Sequence, residues 1–512
     1  MSQNHPKPRM MPLYILIALN LVSMIATWTV FDPGAQNRVI ITMLIQFLFL
    51  PACAIWFLFL SRLPGKTRLK GFVVMVVALL FLVLTVEVRD WSGNMVPILA
   101  WRWTPSDDSL EATVKTADLG ELPLSDSPGY PQFLGPDGNA MIPDVKLARD
   151  WSQAGPEEVW RIKIGAGWSG FAIYGGLAVT QEQRGEEEMV TCYNLEDGSL
   201  VWAHSDNLRF SSSLGGDGPR STPSIDNGMV YTFGATGLMN CLELATGKKV
   251  WSRDLKEDYE GRVPEWGYSG SPLVTGNLVI AGVGGAKNNM LVALDRTNGE
   301  FVWGGGSDMV GYSTPQLRTL GGVPQIITLN ANSVTGLNPE TGALIWEETW
   351  GKGTPNCANP LVMGENLLLV SSGYGVGAAM LELQGDGSGQ TVKRLYETTR
   401  FKAKFANYVK HGDSVYGLDD GIMTSINAAT GDRNWKKGRY GHGQLLLVGD
   451  LILLQSEDGV LRLMEPSSAE HKELGSTQVL GDKSWNNMAL SGDRLVMRNH
   501  MEAVCLKLPM AP

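Results

Sequence analysis

The chain has 512 residues, enough for more than one domain. Sixty are glycine, well above the usual level of roughly 7%, which favours many turns between short strands. A net charge of −10 excludes a nucleic-acid partner, and five cysteines with no CxxC or CxxCH spacing exclude covalent haem and a framework of staples.

Three near-continuous apolar runs come first, at residues 11–31, 39–60 and 72–88. Each is about as long as a helix needs to cross the ~30 Å hydrocarbon layer. Residues 1–10 carry Lys7 and Arg9, and the second loop carries Arg62, Lys66, Arg68 and Lys70. The first loop carries only Arg38. Positive loops stay inside, so the N-terminus is expected in the cytoplasm and everything after Val88 outside. In a bacterium that means the cytoplasmic (inner) membrane, with the rest of the chain in the periplasm. A cleaved signal peptide competes for the first run. Two further runs follow at once without a small-residue cleavage site. Glu87 reads as a snorkelling carboxylate or a partner of Arg89. Trp91, Trp101 and Trp103 suit the outer interface. Residues 89–129 read as a periplasmic tether, polar from Thr104 onward, or as an irregular segment packed on the next domain.

From residue 130 one phrase recurs. "CYNLEDGSLVW" ends at Trp202, "CLELATGKKVW" at Trp251, "ALDRTNGEFVW" at Trp303, "GLNPETGALIW" at Trp346 and "SINAATGDRNW" at Trp435. Each starts on a small residue or Cys, has Asp, Asn or Glu third, Gly seventh and Trp eleventh. The third residue can accept hydrogen bonds from the following turn, and the glycine supplies positive φ. The indole ends an outer strand as an apolar plate that can dock on a neighbour. The full unit, residues 218–251, reads as four strands joined by tight turns, with Asp226-Asn227-Gly228 as one turn. Such a sheet cannot bury both faces alone, and radial stacking of copies solves this. Trp160, Trp202, Trp251, Trp303, Trp346 and Trp435 mark successive units, and Tyr396 stands in a degraded copy. The last unit lacks an outer strand, and the strand around Trp160 lacks a sheet. The expected fold is therefore an all-β eight-bladed propeller over 130–512, with four-stranded blades and the last blade closed by an N-terminal strand. Three transmembrane α-helices precede it.

The phrase resembles the tryptophan-docking motif of PQQ (pyrroloquinoline quinone) type propellers, Ala-x-Asp-x-x-Thr-Gly-x-x-x-Trp. The resemblance covers roughly three quarters of the chain. "PQFLGPDGNAMIPD" (131–144) looks like the leading segment of bacterial PQQ-like propeller proteins. The family includes quinoprotein alcohol and glucose dehydrogenases. It also includes non-catalytic members, such as the lipoprotein that assists outer-membrane protein assembly. Catalytic membership implies adjacent cysteines, a Trp stacked on PQQ, and carboxylate and Asn ligands for calcium with an Asp base. Membrane-bound quinoprotein glucose dehydrogenase is similar in outline. The family's dehydrogenases are also generally longer, with insertions that build the cofactor site.

No adjacent cysteine pair exists here. Cys192, Cys241 and Cys505 hold the small first place of the phrase and read as packing residues. Cys53 lies in an apolar run. Cys357, in "TPNCANP", is the one thiol singled out for a reactivity test, against a packing role. "DGSGQT" (386–391) starts like a calcium loop but has Thr391 where the glycine belongs. "GAGWSG" (165–170) satisfies GxGxxG, yet a strand pattern follows where a dinucleotide site needs a helix. GxSxG and HExxH are missing. "QEQRGEEE" (181–188) and "NLRFSSSLGGDG" (207–218) read as long charged loops, either partner contacts or solvated turns.

Each blade also opens on a small polar phrase, expected at one mouth of the central channel. These phrases bring together Trp168, Arg220, Tyr268, Tyr312, Asn356, Asn359, Asn407, Tyr408, His442, Trp485 and Asn486. They are the candidate ligand-binding residues. The competing reading is that Ser/Thr-Pro phrases start strands and pack the hub. A complete fold signature beside an incomplete catalytic one points to a membrane-anchored, non-catalytic binding or scaffolding module. Its expected partners are the cytoplasmic membrane and a periplasmic or membrane protein. The runner-up is a PQQ- and calcium-dependent dehydrogenase that oxidises an alcohol or sugar and passes electrons to membrane quinone. A periplasmic ligand sensor ranks third, for want of a cytoplasmic output domain.

Overall fold

The computed structural model describes residues 8–31, 34–104, 129–152, 155–351, 353–385 and 389–511. The chain divides into two compact units, Met1–Pro105 and Ser106–Pro512.

In the first unit, Met11–Val30, Ala35–Leu60 and Gly65–Thr85 are helices long and apolar enough to cross a membrane. The third starts earlier than its apolar run. Pro64 precedes it, and Lys66, Arg68 and Lys70 lie in its first two turns. Trp28 Nε1 donates to Thr42 Oγ1 at 3.0 Å, tying the first helix to the second, and Trp56 Nε1 donates at 3.0 Å to the carbonyl of Arg9, just ahead of the first helix. The stretch read as a tether from residue 89 begins differently. Val86–Trp91 pairs antiparallel with Pro97–Trp101, and Trp101 stacks on Trp103 at 5.2 Å. The β-branched and aromatic residues there favour a hairpin. The remainder of the expected tether, 105–128, lies outside the described residues.

The second unit is an eight-bladed propeller of four-stranded antiparallel blades. Blades 1 to 7 cover 172–206, 224–254, 273–305, 316–349, 361–398, 409–439 and 444–478. Blade 8 joins 489–507 to Glu157–Lys163, so that Cys505 faces Trp160 across the closing pair. Blade 2 has the expected strands, Ser224–Asp226, Met229–Phe233, Leu238–Glu243 and Lys249–Asp254.

The repeated phrase has a mechanical explanation. In all eight blades the third and fourth strands shift register at its first residue. That residue faces the docking aromatic directly, as Cys192 faces Trp202 and Cys241 faces Trp251. A small side chain there leaves room for the indole. The third residue closes the turn: Asn194 Oδ1 accepts from the Glu196 N–H at 2.8 Å, and Asp295 Oδ1 from the Thr297 N–H at 2.8 Å. The indole then reaches the next blade. Trp160, Trp202, Trp251, Trp303 and Trp435 donate Nε1–H to the carbonyls of Leu195, Leu244, Arg296, Pro339 and Ser467, at 2.7 to 3.2 Å. The Tyr396 hydroxyl does the same to Ala428 at 3.1 Å. The seventh-place glycine lies under that ring. A Cβ at Gly198 would sit 2.8 Å from Trp160, and one at Gly247 would collide with Trp202.

Two blades depart from the rule. Trp346 turns back to Gln325 Oε1 of its own blade. Residues 386–388, the start of the calcium-like "DGSGQT", lie outside the described residues. In blade 7 the sizes are exchanged: Leu463 faces Gly475, and Trp151 from ahead of the propeller packs on that glycine.

The ring closes with polar chemistry. Arg498 of blade 8 is fully buried and donates to Gly165 O at 2.9 Å, Gln181 O at 2.9 Å and Thr180 Oγ1 at 2.8 Å. "QEQRGEEE" is therefore not a loop. Leu177–Arg184 and Glu187–Asn194 are paired strands, and the buried Glu182 pairs with Arg184 at 2.7 Å. The second charged stretch also carries structure. Ser211–Ser212 pairs with Gly216–Asp217, pinned by Arg209 to Asp217 at 2.9 Å.

The glycine-under-indole contact is testable. Gly247 has φ +68 and the Trp202 ring beside it, whereas Gly228 has φ +74 with open space around its Cβ position. Gly228→Ala should cost about 1 to 2 kcal/mol for left-handed backbone alone. Gly247→Ala should cost that plus roughly 1 to 3 kcal/mol of overpacking. Denaturant melts of the full chain in detergent would check the order, and equal losses would refute the packing role.

Candidate functional site

The eight inner strands start at one end of the axis, and the segments before them form two layers. The deeper layer is a closed ring of hydrogen bonds. Gly170 N–H donates to Thr222 Oγ1 at 3.2 Å, Thr222 N–H to Ser271 Oγ at 2.9 Å, and Ser271 N–H to Thr314 Oγ1 at 2.9 Å. Thr314 N–H donates to Asn359 Oδ1 at 3.0 Å, and Asn359 N–H to Asn407 Oδ1 at 2.8 Å. Gln444 Nε2 spans two joints, to Phe405 O at 3.1 Å and Trp485 O at 2.8 Å. Asn486 Nδ2 completes the circle at Gly167 O and Ser169 O. Thr222, Ser271, Thr314 and Asn359 each precede a proline. Proline holds the preceding residue extended, which sets these side chains at the strand starts.

Six of the predicted residues therefore serve the hub. Asn359, Asn407 and Asn486 are ring members. Asn356 is fully buried, donating to Asn330 O at 2.7 Å and accepting from Ser372 Oγ at 2.6 Å. The Tyr268 and Tyr408 hydroxyls donate to Val283 O at 2.8 Å and Leu369 O at 3.0 Å. Arg220 is a loop clamp, buried over the Phe210 ring and bonded to the carbonyls of Gly215, Gly216 and Gly218. Burial pushes its guanidinium down to about 10, opposed by Glu188 and Asp217.

The outer layer is aromatic. Trp168, Tyr312, His442 and Trp485 meet here, joined by Trp266, Tyr374 and Phe405. Phe405, which leads into blade 6, lies 5.7 Å from Trp266 of blade 3 across the axis. It also lies 5.2 Å from Trp485, 5.3 Å from His442 and 6.4 Å from Tyr374, centroid to centroid. Trp168 packs on Trp485 at 4.9 Å, and Trp266 stacks on Tyr312 at 5.0 Å. Two buried lysines touch these rings. Lys483 Nζ sits 4.1 Å from the Trp485 ring and 4.8 Å from Trp168, and Lys404 Nζ 4.7 Å from Tyr374 and 5.0 Å from Phe405. Such contacts suit cations on ring faces. Glu457 fixes the rim, accepting from Trp485 Nε1 at 3.1 Å and His442 N–H at 3.0 Å.

Burial pushes His442 down to about 3 and Cys357 up to about 12, so the imidazole is neutral and the sulfur a thiol at neutral pH. The thiol singled out by sequence thus lacks the thiolate character that makes a nucleophile. Lys404 falls to about 8 through burial, opposed by Asp420 and Glu457.

Sequence reasoning missed Trp266, Tyr374, Phe405, Lys404, Lys483 and Glu457. A signal existed for Phe405: an aromatic stands two residues before the strand-leading position in "WSG", "YST", "FAN" and "WNN" alike. Tyr374 lies in a turn of blade 5, where no repeat marks it.

The opposite end of the axis is crossed by the segment at 130–142. Tyr130 bridges Ile173 of blade 1, and Pro131 O accepts from Ile225 of blade 2 at 2.7 Å. Gly138 O accepts from Gln316 Nε2 of blade 4 at 2.8 Å, and Met141–Ile142 runs parallel to the inner strand of blade 7. The protein's own residues thus cross the axis at both ends.

Comparison with known proteins agrees with this architecture. A family model described as outer membrane protein assembly factor BamB matches residues 186–437. That match, just under half of the chain, makes the propeller similar to the PQQ-like repeat family. The quinoprotein alcohol dehydrogenase PedH of Pseudomonas putida is 26% identical over 193 residues, 34% of this chain and 29% of that protein. The assembly factor BamB of Xanthomonas campestris is 33% identical over 87 residues, 17% of this chain and 21% of that protein. The matches span less than a third of either relative. Among solved structures, BamB from Moraxella catarrhalis aligns with TM-score 0.51 and 16% identity, over 69% of this chain and all of that one. A quinohemoprotein alcohol dehydrogenase from Comamonas testosteroni aligns with TM-score 0.56 and 13% identity, over 76% and 82%. These likenesses establish the fold, on which the family carries both dehydrogenases and an assembly factor.

The mouth can be tested against the family's cofactor. A planar quinone held between two rings needs them about 7 Å apart, twice the ordinary contact distance. Phe405 stands 5.2 Å from Trp485 and 5.7 Å from Trp266, which leaves no such slot between them. Among the described residues, no three His, Cys, Asp or Glu side chains converge as metal ligands. The aromatic mouth therefore offers no slot between these rings for a planar quinone.

The Lys404 shift has a pH signature. Its amine titrates near 10.5 when unfolded and about 8 when folded. Between those values the unfolded chain holds more protons, so this group makes stability rise with pH, by at most about 1.4 kcal/mol per unit. Melts of Lys404→Met and native protein from pH 8 to 10 should differ by that rise. Parallel curves would show that the amine titrates normally.

Proposed function

We propose that this protein is a non-catalytic binding or scaffolding module. Three membrane helices would hold its propeller on the periplasmic side of the cytoplasmic membrane. The observation that carries the reading is Phe405, which fills the mouth where a planar cofactor would need space. The rim supports it as well. Val250, Phe301, Val302 and Leu344, on the outer strands of blades 2 to 4, are each 45 to 50% exposed. An apolar stripe on consecutive outer strands is the surface a protein partner needs. The positive charges at residues 7–9 and 62–70 support the orientation.

Calorimetry of the full chain in detergent, titrated with PQQ and calcium, tests the catalytic alternative. No binding is expected. Micromolar or tighter binding, with dye-linked oxidation of alcohols or sugars, would establish the dehydrogenase reading instead. Topology has its own check. In spheroplasts, externally added protease should cleave the propeller and spare a tag at the N-terminus. Protection of the propeller would reverse the orientation.

A further inference from the structure

The hairpin that follows the third helix has one apolar face. Val86 lies opposite Trp101 and Val88 opposite Leu99, so these four side chains share a face, with Glu87 and Ala100 paired on the other. Val88, Leu99, Trp101 and Trp103 are 49, 62, 48 and 66% exposed. Trp103 stacks on Trp101 with 9° between the ring planes, which extends the face by one ring. Among the described residues the hairpin is a sheet of two strands with no third strand beside it. Such a pair is marginal in water unless its apolar face packs on something.

The join to the helix is built for dry surroundings. The last carbonyls of a helix have no partner within it. Here Val83 O accepts from Arg102 Nε and Thr85 O from the Arg102 N–H, both at 2.9 Å. Water would satisfy such carbonyls unaided, whereas beside hydrocarbon a bare one is costly. An opposite limit comes from the strands. Open sheet edges do not occur within hydrocarbon, so the hairpin cannot lie deeper than the headgroups. Nor can its apolar face rise far above them. Trp101 is level with Val86, the residue after the helix, and Leu99 is level with Val88. At ~3.3 Å per residue, Leu99 stands roughly 10 Å beyond the helix end at most. The headgroup layer is about 5 to 8 Å thick. Even an upright hairpin therefore keeps Trp101 in that layer and Leu99 at its outer edge.

We propose that the hairpin is an interfacial foot. Its face of Val88, Leu99, Trp101 and Trp103 rests in the lipid headgroup layer and holds the end of the third helix at that level. The inference rests on the reading that the three helices cross a membrane. The partner is the lipid surface itself, because the face is continuous with a helix that ends there, and indole rings favour that layer.

The test uses the full chain in nanodiscs of phosphatidylethanolamine and phosphatidylglycerol. They carry a phospholipid with a diazirine at the headgroup end of one acyl chain. After irradiation, mass spectrometry should find lipid adducts on Val88, Leu99, Trp101 and Trp103, besides those on the helices. Leu99→Gln with Trp101→Gln makes the face polar and leaves the backbone ladder in place. It should lose the adducts on Val88 and Trp103 and keep those at 72–82. Adducts on the helices alone would overturn the foot and leave the face to a protein contact. Hairpin adducts that persist in the folded double variant would overturn it too, since contact would not depend on the apolar face. Helices without adducts would overturn the foot together with the membrane reading. Should the variant misfold, the labelling of the native chain still decides.

Discussion

One indole laid on one glycine is the contact on which the propeller depends. A four-stranded blade has two apolar faces and no means of covering either from its own residues. The docking ring covers the neighbour's turn, its N–H satisfies a carbonyl there, and the glycine admits it at van der Waals distance. The opposite small residue, Cys241 facing Trp251 for example, makes room on the ring's own sheet. The eleven-residue spacing follows from these needs together. Packing, hydrogen bonding and backbone conformation are met by three side-chain positions.

The hub answers the same problem near the axis, where blades converge and no room remains for large side chains. There the joints are short polar side chains taking backbone N–H groups of the preceding blade. Buried polar residues are tolerable there because each ring member spends one polar atom on a joint. Arg498 shows the same economy at the closure, with its bonds shared among Gly165, Thr180 and Gln181. Degraded repeats are repaired locally: Trp151 packs on Gly475 of blade 7, and Gln325 receives the Trp346 indole within its own blade.

These joints shape what the axis offers. One mouth is built of aromatic rings with Lys404 and Lys483 on their faces, and Phe405 ties blades 3, 5 and 8 across it. The other end is roofed by the segment at 130–142, beneath which amide groups remain unmatched. The polar residues of the blade openings thus divide by depth. Those at the strand starts hold the ring together, and the aromatics just before them meet outside it.

The phrase ending in Trp was enough to give blade number and ring closure, since the contact it encodes recurs at most of the joints. The apolar runs were equally legible, because crossing hydrocarbon is a matter of length and composition. The mouth was legible only in part. The run of blade-opening phrases gathered Trp168, Tyr312, His442 and Trp485 at one end. It could not separate them from Asn356 or Tyr408, whose polar atoms turn inward to backbone carbonyls. Nor could it find Trp266 or Tyr374, which reach Phe405 from different blades, far away in sequence. Repetition writes local rules into a sequence at every copy. Convergence at an axis happens once, between residues with no shared spacing, and only the closed ring decides it.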